Sequence, residues 1–246
     1  MNRNIGCIKS FFASLVYNII FLVICGYGLL LHFSTDSTGH NVRMLSYFTI
    51  LSNLFCFIMT LLFIYIETKN KLSSKSAHSP YIYMKNFSHK YYFFRGMSLM
   101  GILLTFFIYH FMVAKYKYPL LTNNILCLPT KDLLAHYVIP FMYVIDWLMF
   151  LPKNVNSIKS PLYWQIYPFI YLVTIMSRFF IFPKESILHL DQYPYFFLDV
   201  EELGFPVFII IMILILLVII AIGYLIIGIE RIIIFIYNRY HIISKK

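Results

Sequence analysis

The chain alternates long apolar runs with short polar ones, and the runs are longer than the core helices of a soluble protein require. They lie at about Phe11–Phe33, Met44–Ile66, Gly96–Ala114, Leu133–Leu151, Pro161–Phe182 and Phe205–Ile229. Each approaches or exceeds the ~20 residues that a helix needs to cross bilayer hydrocarbon. Charged residues or clusters of Ser, Asn, Pro and Gly bound every run, which is the punctuation of helix ends. Lipid offers no partner to backbone N–H and C=O groups, so segments of this kind must be helical. The pattern predicts an all-α fold: a polytopic integral membrane protein, one domain over residues 1–246, folded as a six-transmembrane-helix bundle. The first run exceeds the ~7–15 apolar residues of a signal peptide and no small-x-small site follows it, so it is expected to be retained. The short Pro152–Ser160 connection predicts that spans four and five are antiparallel neighbours.

Composition agrees with this pattern. Hydrophobic residues make up 61% of the chain and charged residues 12%, with a mean hydropathy of +0.77; soluble domains carry about 25% charged residues. Lys and Arg set the expected orientation, because they accumulate on the cytoplasmic side of membrane proteins. One side of the six runs collects fourteen of the 20 basic residues, among them Arg3, Lys9, Lys69, Lys90, Arg95, Lys153 and Arg231. Six fall on the other side, where Asp36, Asp132, Glu185, Asp191, Asp199, Glu201 and Glu202 also lie. The basic side is expected to be cytoplasmic, giving an N-in/C-in topology. The net charge of +10 then belongs to cytoplasmic loops, chiefly Lys69–Lys90, which suit anionic membrane lipids and imply no nucleic-acid partner. Cys7, Cys25, Cys56 and Cys127 form no paired C-x-x-C signature, and only Cys127 falls on the outer side, so neither a disulfide nor a structural metal is expected. No cofactor motif is present. The surplus of Lys over Arg, with abundant Ile, Phe, Tyr and Asn, fits an AT-rich genome and a bacterial plasma membrane.

Polar residues inside lipid are expensive, so those within the spans carry the functional information. At 1.5 Å of rise per residue, His136 lies about 5 Å, His110 about 6 Å, and Thr49 and Arg178 about 7 Å from the outer boundary. These four share one layer. Asp146 is about 15 Å deeper than His136 and is expected to pair with a cation on the cytoplasmic side, Arg95 or Arg231. Along span five, Trp164, Tyr167, Tyr171, Thr174 and Arg178 recur at spacings of three and four and trace one helical face. That stripe predicts a hydroxyl- and aromatic-lined slot ending at an arginine suited to a carboxylate or phosphate. The alternative is aromatic packing with Arg178 snorkelling to the headgroups. Thr49 and Asn53 share a face of span two, a pattern that also serves as helix glue. Asp132, one turn before His136, can orient the imidazole or meet the helix dipole as an N-terminal carboxylate. The aromatic run at 193–200 predicts either an interfacial belt or a lid over the bundle.

Three strings carry a resemblance. Tyr47-Phe48-Thr49-Ile50-Leu51-Ser52-Asn53-Leu54, His136-Tyr137-Val138-Ile139-Pro140 with Asp146-Trp147, and Tyr193-Pro194-Tyr195-Phe196-Phe197-Leu198-Asp199-Val200 resemble a bacterial branch of the family of the androgen-induced protein and the androgen-dependent TFPI-regulating protein. The resemblance runs over essentially the whole chain. It implies a membrane threonine hydrolase in which Thr49 is the nucleophile and His136 its base, acting on fatty acid esters of hydroxy fatty acids or similar acyl esters. Nucleophile and base must meet within hydrogen-bond reach, and the depth argument puts both in one layer. Asn53 or Tyr143 is then expected to stabilise the oxyanion, and Tyr171, Thr174 and Arg178 to bind the lipid substrate. A non-catalytic transporter or lipid-binding protein using the same pocket is the alternative, and a structural role in a membrane complex is a third.

Overall fold

The computed structural model describes residues 10–34, 41–73, 88–114, 128–181 and 193–243, and every regular element among them is helical. Five helices are long and apolar enough to cross a membrane: α1 (Phe11–Phe33), α2 (Phe48–Leu72), α3 (His89–Val113), α4 (Thr130–Phe150) and the last, which continues from Phe205 to Ile243. Cys7, Cys127 and most of the basic loop, residues 74–87, lie outside the described residues, so the expected topology is not addressed by them. Cys25 and Cys56 are buried free thiols.

The fifth expected span departs from the pattern. It is not one helix but two, α5 (Ser160–Trp164) and α6 (Ile166–Ile181). Pro168 has no N–H to return to the Trp164 carbonyl four residues earlier, and its ring crowds that carbonyl, so the helix breaks at Gln165. The Gln165 amide donates to the Pro161 carbonyl at 3.0 Å, satisfying one of the freed acceptors.

The expected pairing of spans four and five also gives way. Beyond the Pro152–Ser160 connection, α5 and α6 pack on α3, and α5 packs on the final helix, while α4 packs on α1 and α3. The reason lies in α3, which presents two glycines to the incoming chain. A Cβ at Gly96 would stand 2.2 Å from the Trp164 indole, and one at Gly101 would stand 2.8 Å from the Tyr167 ring. Small residues let helices approach closely where lipid gives no hydrophobic drive to association. With its N-terminus capped by the Ser88 hydroxyl, which accepts from the Tyr91 N–H at 3.2 Å, α3 forms the axis of the bundle. A short helix, α7 (Val200–Leu203), capped by the Asp199 carboxylate, leads into the final helix, α8 (Phe205–Ile243).

One end of the bundle is locked by buried charge. Arg95 on α3 pairs with Asp146 on α4, one of the two partners expected from sequence, and donates to the Thr60 hydroxyl of α2 at 3.0 Å. The second Asp146 oxygen accepts from the Asn18 amide of α1 at 3.1 Å. The Tyr143 ring lies under the guanidinium, 4.1 Å from centroid to Cζ. Glu230 of α8 accepts from the Trp147 indole at 3.2 Å, and the Lys153 ammonium donates to the Trp147 and Leu151 carbonyls at 2.5 and 2.7 Å. Each of these charges has a partner where water is absent, as burial requires. This network ties four of the five long helices directly, and through Glu230 the fifth.

Candidate functional site at the opposite end

At the other end of the bundle, α2, α3, α4, α6 and α8, with His32 of α1, surround a cavity of about 880 Å³. Its head is polar, with Thr49, Thr105, Lys131, Asp132, His136, Tyr171 and Tyr195 in the wall; the rest is lined mainly by Ile, Leu, Met and Phe. Residues 194–198 form its roof, and Phe197 and Leu198 are buried there against Ile175 of α6 and Phe208 of α8. The segment thus forms part of the cavity wall.

Thr49 is the second residue of α2, so its N–H has no partner within the helix. Tyr195 supplies one. Its phenol oxygen accepts from the Thr49 N–H at 3.4 Å and lies 3.3 Å from Thr49 Oγ1. The junction leading into α2 is held from α6 as well: Tyr171 donates to the Ser46 carbonyl at 2.9 Å and Arg178 to the Ser46 hydroxyl at 2.8 Å. Burial pushes the Tyr195 phenol up to about 12, against the opposing pull of its hydrogen bonds with Thr49. The phenol is therefore protonated at neutral pH and can donate.

His136 comes from α4, inside a π turn over Leu134–Val138 in which the Ile139 N–H reaches back to the Leu134 carbonyl. The turn widens ahead of Pro140, which can offer no N–H to the His136 carbonyl and whose ring would crowd it in a regular α-helix. α3 carries a second π turn, Tyr109–Val113. The two turns lie side by side. The Tyr109 and His136 rings stack with centroids 3.5 Å apart and planes 10° from parallel, and His110 Nδ1 lies 3.1 Å from the Tyr137 hydroxyl. Single π turns of this kind concentrate at functional sites. Asp132 is buried in the first turn of α4, where a carboxylate meets the positive end of the helix dipole, and it also faces the cavity.

The expected site residues are divided by this geometry. Thr49, His136 and Tyr171 line the cavity; Asn53, Tyr143, Thr174 and Arg178 do not. Both amide hydrogens of Asn53 are committed, to the Thr49 carbonyl at 2.7 Å and the Ala135 carbonyl at 3.2 Å, leaving none for an oxyanion. Tyr143 belongs to the buried-charge end, its hydroxyl 2.6 Å from that of Ser98. Thr174 is exposed and bonds back to the Ile170 carbonyl at 2.8 Å. Arg178 braces Ser46; the cationic or basic side chains that line the cavity are Lys131, His32 and His136. The residue missed by sequence reasoning is Tyr195: the run at 193–200 reads as an interfacial belt or a lid, but nothing in it marks which tyrosine reaches Thr49. Among the described residues no group of three or more His, Cys, Asp or Glu side chains is placed to hold a metal ion. Comparison of the chain with protein-family models, curated proteins and solved structures returns no match.

Proposed function

We propose that the protein is a multi-pass membrane hydrolase of long-chain acyl esters, with Thr49 as nucleophile and His136 as general base, set in an N-in/C-in bundle whose sixth crossing is the broken pair α5–α6. The observation that carries this reading is that Thr49 and His136, from different helices, line the polar head of one cavity whose remainder is apolar. Supporting it is the resemblance of the strings around both residues to the androgen-induced protein family.

In this reading the Thr49 N–H occupies the Tyr195 oxygen, so the phenol hydrogen can point to Thr49 Oγ1 and leave the threonine hydroxyl hydrogen for the base. Thr49 Oγ1 attacks the ester carbonyl carbon while His136 takes its proton. Collapse of the tetrahedral intermediate breaks the bond to the alcohol oxygen, which leaves with the proton from His136. Water, deprotonated by the same imidazole, then hydrolyses the acyl-threonine and releases the carboxylic acid. As the oxyanion grows, Tyr195 is the hydroxyl beside Thr49 that can turn to it.

The hydrogen bonds of Tyr195 to Thr49 also favour a second reading, in which the phenol is a helix cap and the cavity binds lipid without chemistry. Turnover of a fatty acid ester of a hydroxy fatty acid, measured per folded molecule in liposomes, separates the two. Hydrolysis by the wild type that disappears in a folded Thr49→Ala protein supports catalysis. A folded Thr49→Ala protein as active as the wild type would refute it.

A further inference from the structure

The lower part of the cavity is a slot between α6 and α8 that is open along its side. Five of its wall residues, Ile166, Phe169, Ile209, Ile213 and Leu216, are between 38% and 63% exposed although they line the cavity. The opening follows from packing: α8 lies closely on α3 and on α5, rather than on α6. At the top, Phe197 and Leu198 bridge α6 to α8. At the foot, Gly223 meets Pro161 so closely that a Cβ there would stand 2.8 Å from the proline ring. Between bridge and foot, apolar side chains of both helices line the cavity.

Hydrocarbon surrounds these helices at this depth if they span a bilayer, so whatever passes through the gap comes from lipid and not from water. Wall residues on α8 run from Ile209 to Ile219, a rise of about 15 Å, which is half of the ~30 Å hydrocarbon core and thus the depth spanned by one lipid chain. The slot's polar head holds Lys131 and His136, and its foot holds Leu216 and Ile219.

We propose that this slot receives a single acyl chain of a bilayer lipid, which enters sideways between α6 and α8 with its polar end toward Thr49 and Lys131. The proposal rests on the hydrolase reading for its purpose but not for its test. The gap admits a chain without lifting the 194–198 roof, and the Gly223–Pro161 contact limits how far the chain can descend. Leu216 and Ile219 therefore set the preferred chain length.

The test uses the full-length protein in phosphatidylcholine vesicles in which one acyl chain carries a terminal diazirine. Photolysis followed by peptide mapping is expected to place adducts on Ile166, Leu216 and Ile219, in excess of those on the outward face of α8 at Ile210, Leu214 and Leu217, which are 55–57% exposed. Leu216→Trp should remove the slot adducts several-fold while leaving the outward-face adducts unchanged, and the latter report that the variant is folded. Should that variant fail to fold, Ile213→Trp makes the same test higher in the slot. Labelling that is equal on both faces, or that ignores the tryptophan, overturns the proposal. Because the readout is a cross-link, absence of ester turnover leaves the slot standing, and turnover with no slot labelling rejects the slot while sparing the hydrolase.

Discussion

The imidazole of His136 lies face to face with the phenol ring of Tyr109, 3.5 Å between centroids and 10° from parallel. In the proposed mechanism a base held in this way would keep one ring plane, and the face of a tyrosine attracts an imidazolium, an effect of about 1 kcal/mol. Tyr109→Leu is therefore expected to lower kcat several-fold with little change in KM, while Tyr109→Phe, which keeps the ring, stays near the wild type. Steady-state kinetics on the three proteins check this; equal turnover in all three would mean that the stack only packs.

Tyr195 gives a second test. Tyr195→Phe removes both contacts to Thr49 and should cost about 0.5–1.5 kcal/mol of stability, the worth of a typical hydrogen bond, together with a loss of turnover. Its pH dependence has a definite sign. The folded-state value of about 12 lies above the ordinary 10.0, so the protonated phenol is favoured by folding. That contribution is complete below 10.0 and disappears as pH rises through about 12. The stability advantage of the wild type over Tyr195→Phe in thermal unfolding should accordingly be constant below pH 10.0 and shrink as pH rises from 10.0 toward about 12. A difference that holds unchanged across that window would contradict it.

At the other end of the bundle the Arg95–Asp146 pair is almost fully buried. Removing one partner strands the other, so Arg95→Leu or Asp146→Leu should each destabilise by about 3–5 kcal/mol. The double variant, which leaves no orphaned charge, should recover much of that loss. Thermal stability in detergent measures all three, and a double variant worse than the sum of the singles would show that the pair is worth more than a mutual neutralisation.

Gly96→Ala tests the central role of α3. The added methyl would stand 2.2 Å from Trp164, a fully buried indole, so backbone or ring must move. Overpacking of this kind costs about 1–3 kcal/mol. Gly228→Ala, with nothing within 4 Å of the new Cβ, is the control and should be neutral or mildly stabilising. Equal melting temperatures for the two variants would contradict the packing account.

Much of the helical layout was legible because lipid leaves the backbone no alternative, and a run of ~20 apolar residues has one solution. Depth counting placed Thr49 and His136 in one layer, and both line one cavity; it also placed Asp146 deeper, with Arg95 or Arg231 as its partner, and Arg95 is the one realised. The break at Gln165 was available from Pro168, and the π turn at His136 from Pro140, by the same loss of an N–H and the same steric crowding. The π turn at Tyr109 has no such signal. Nor did the periodicity of span five show that of its polar stripe only Tyr171 would line the cavity, with Trp164 and Tyr167 turned onto the α3 glycines instead, because a stripe records one helical face and not which neighbour that face meets. Tertiary reach was the least legible: Arg178 going to Ser46 and Tyr195 to Thr49 link residues more than 130 positions apart, and neither spacing nor composition encodes such a contact.

The most direct measurement for the catalytic claim is the site of reaction with an activity-based fluorophosphonate. The reagent is added to purified protein in liposomes, and the adduct is mapped by mass spectrometry. The account predicts one phosphonylated residue, Thr49, with labelling lost in a folded His136→Ala protein because the hydroxyl then has no base. Labelling of Thr49 that persists undiminished without His136, or no adduct on Thr49 in a folded and lipid-loaded protein, would contradict it.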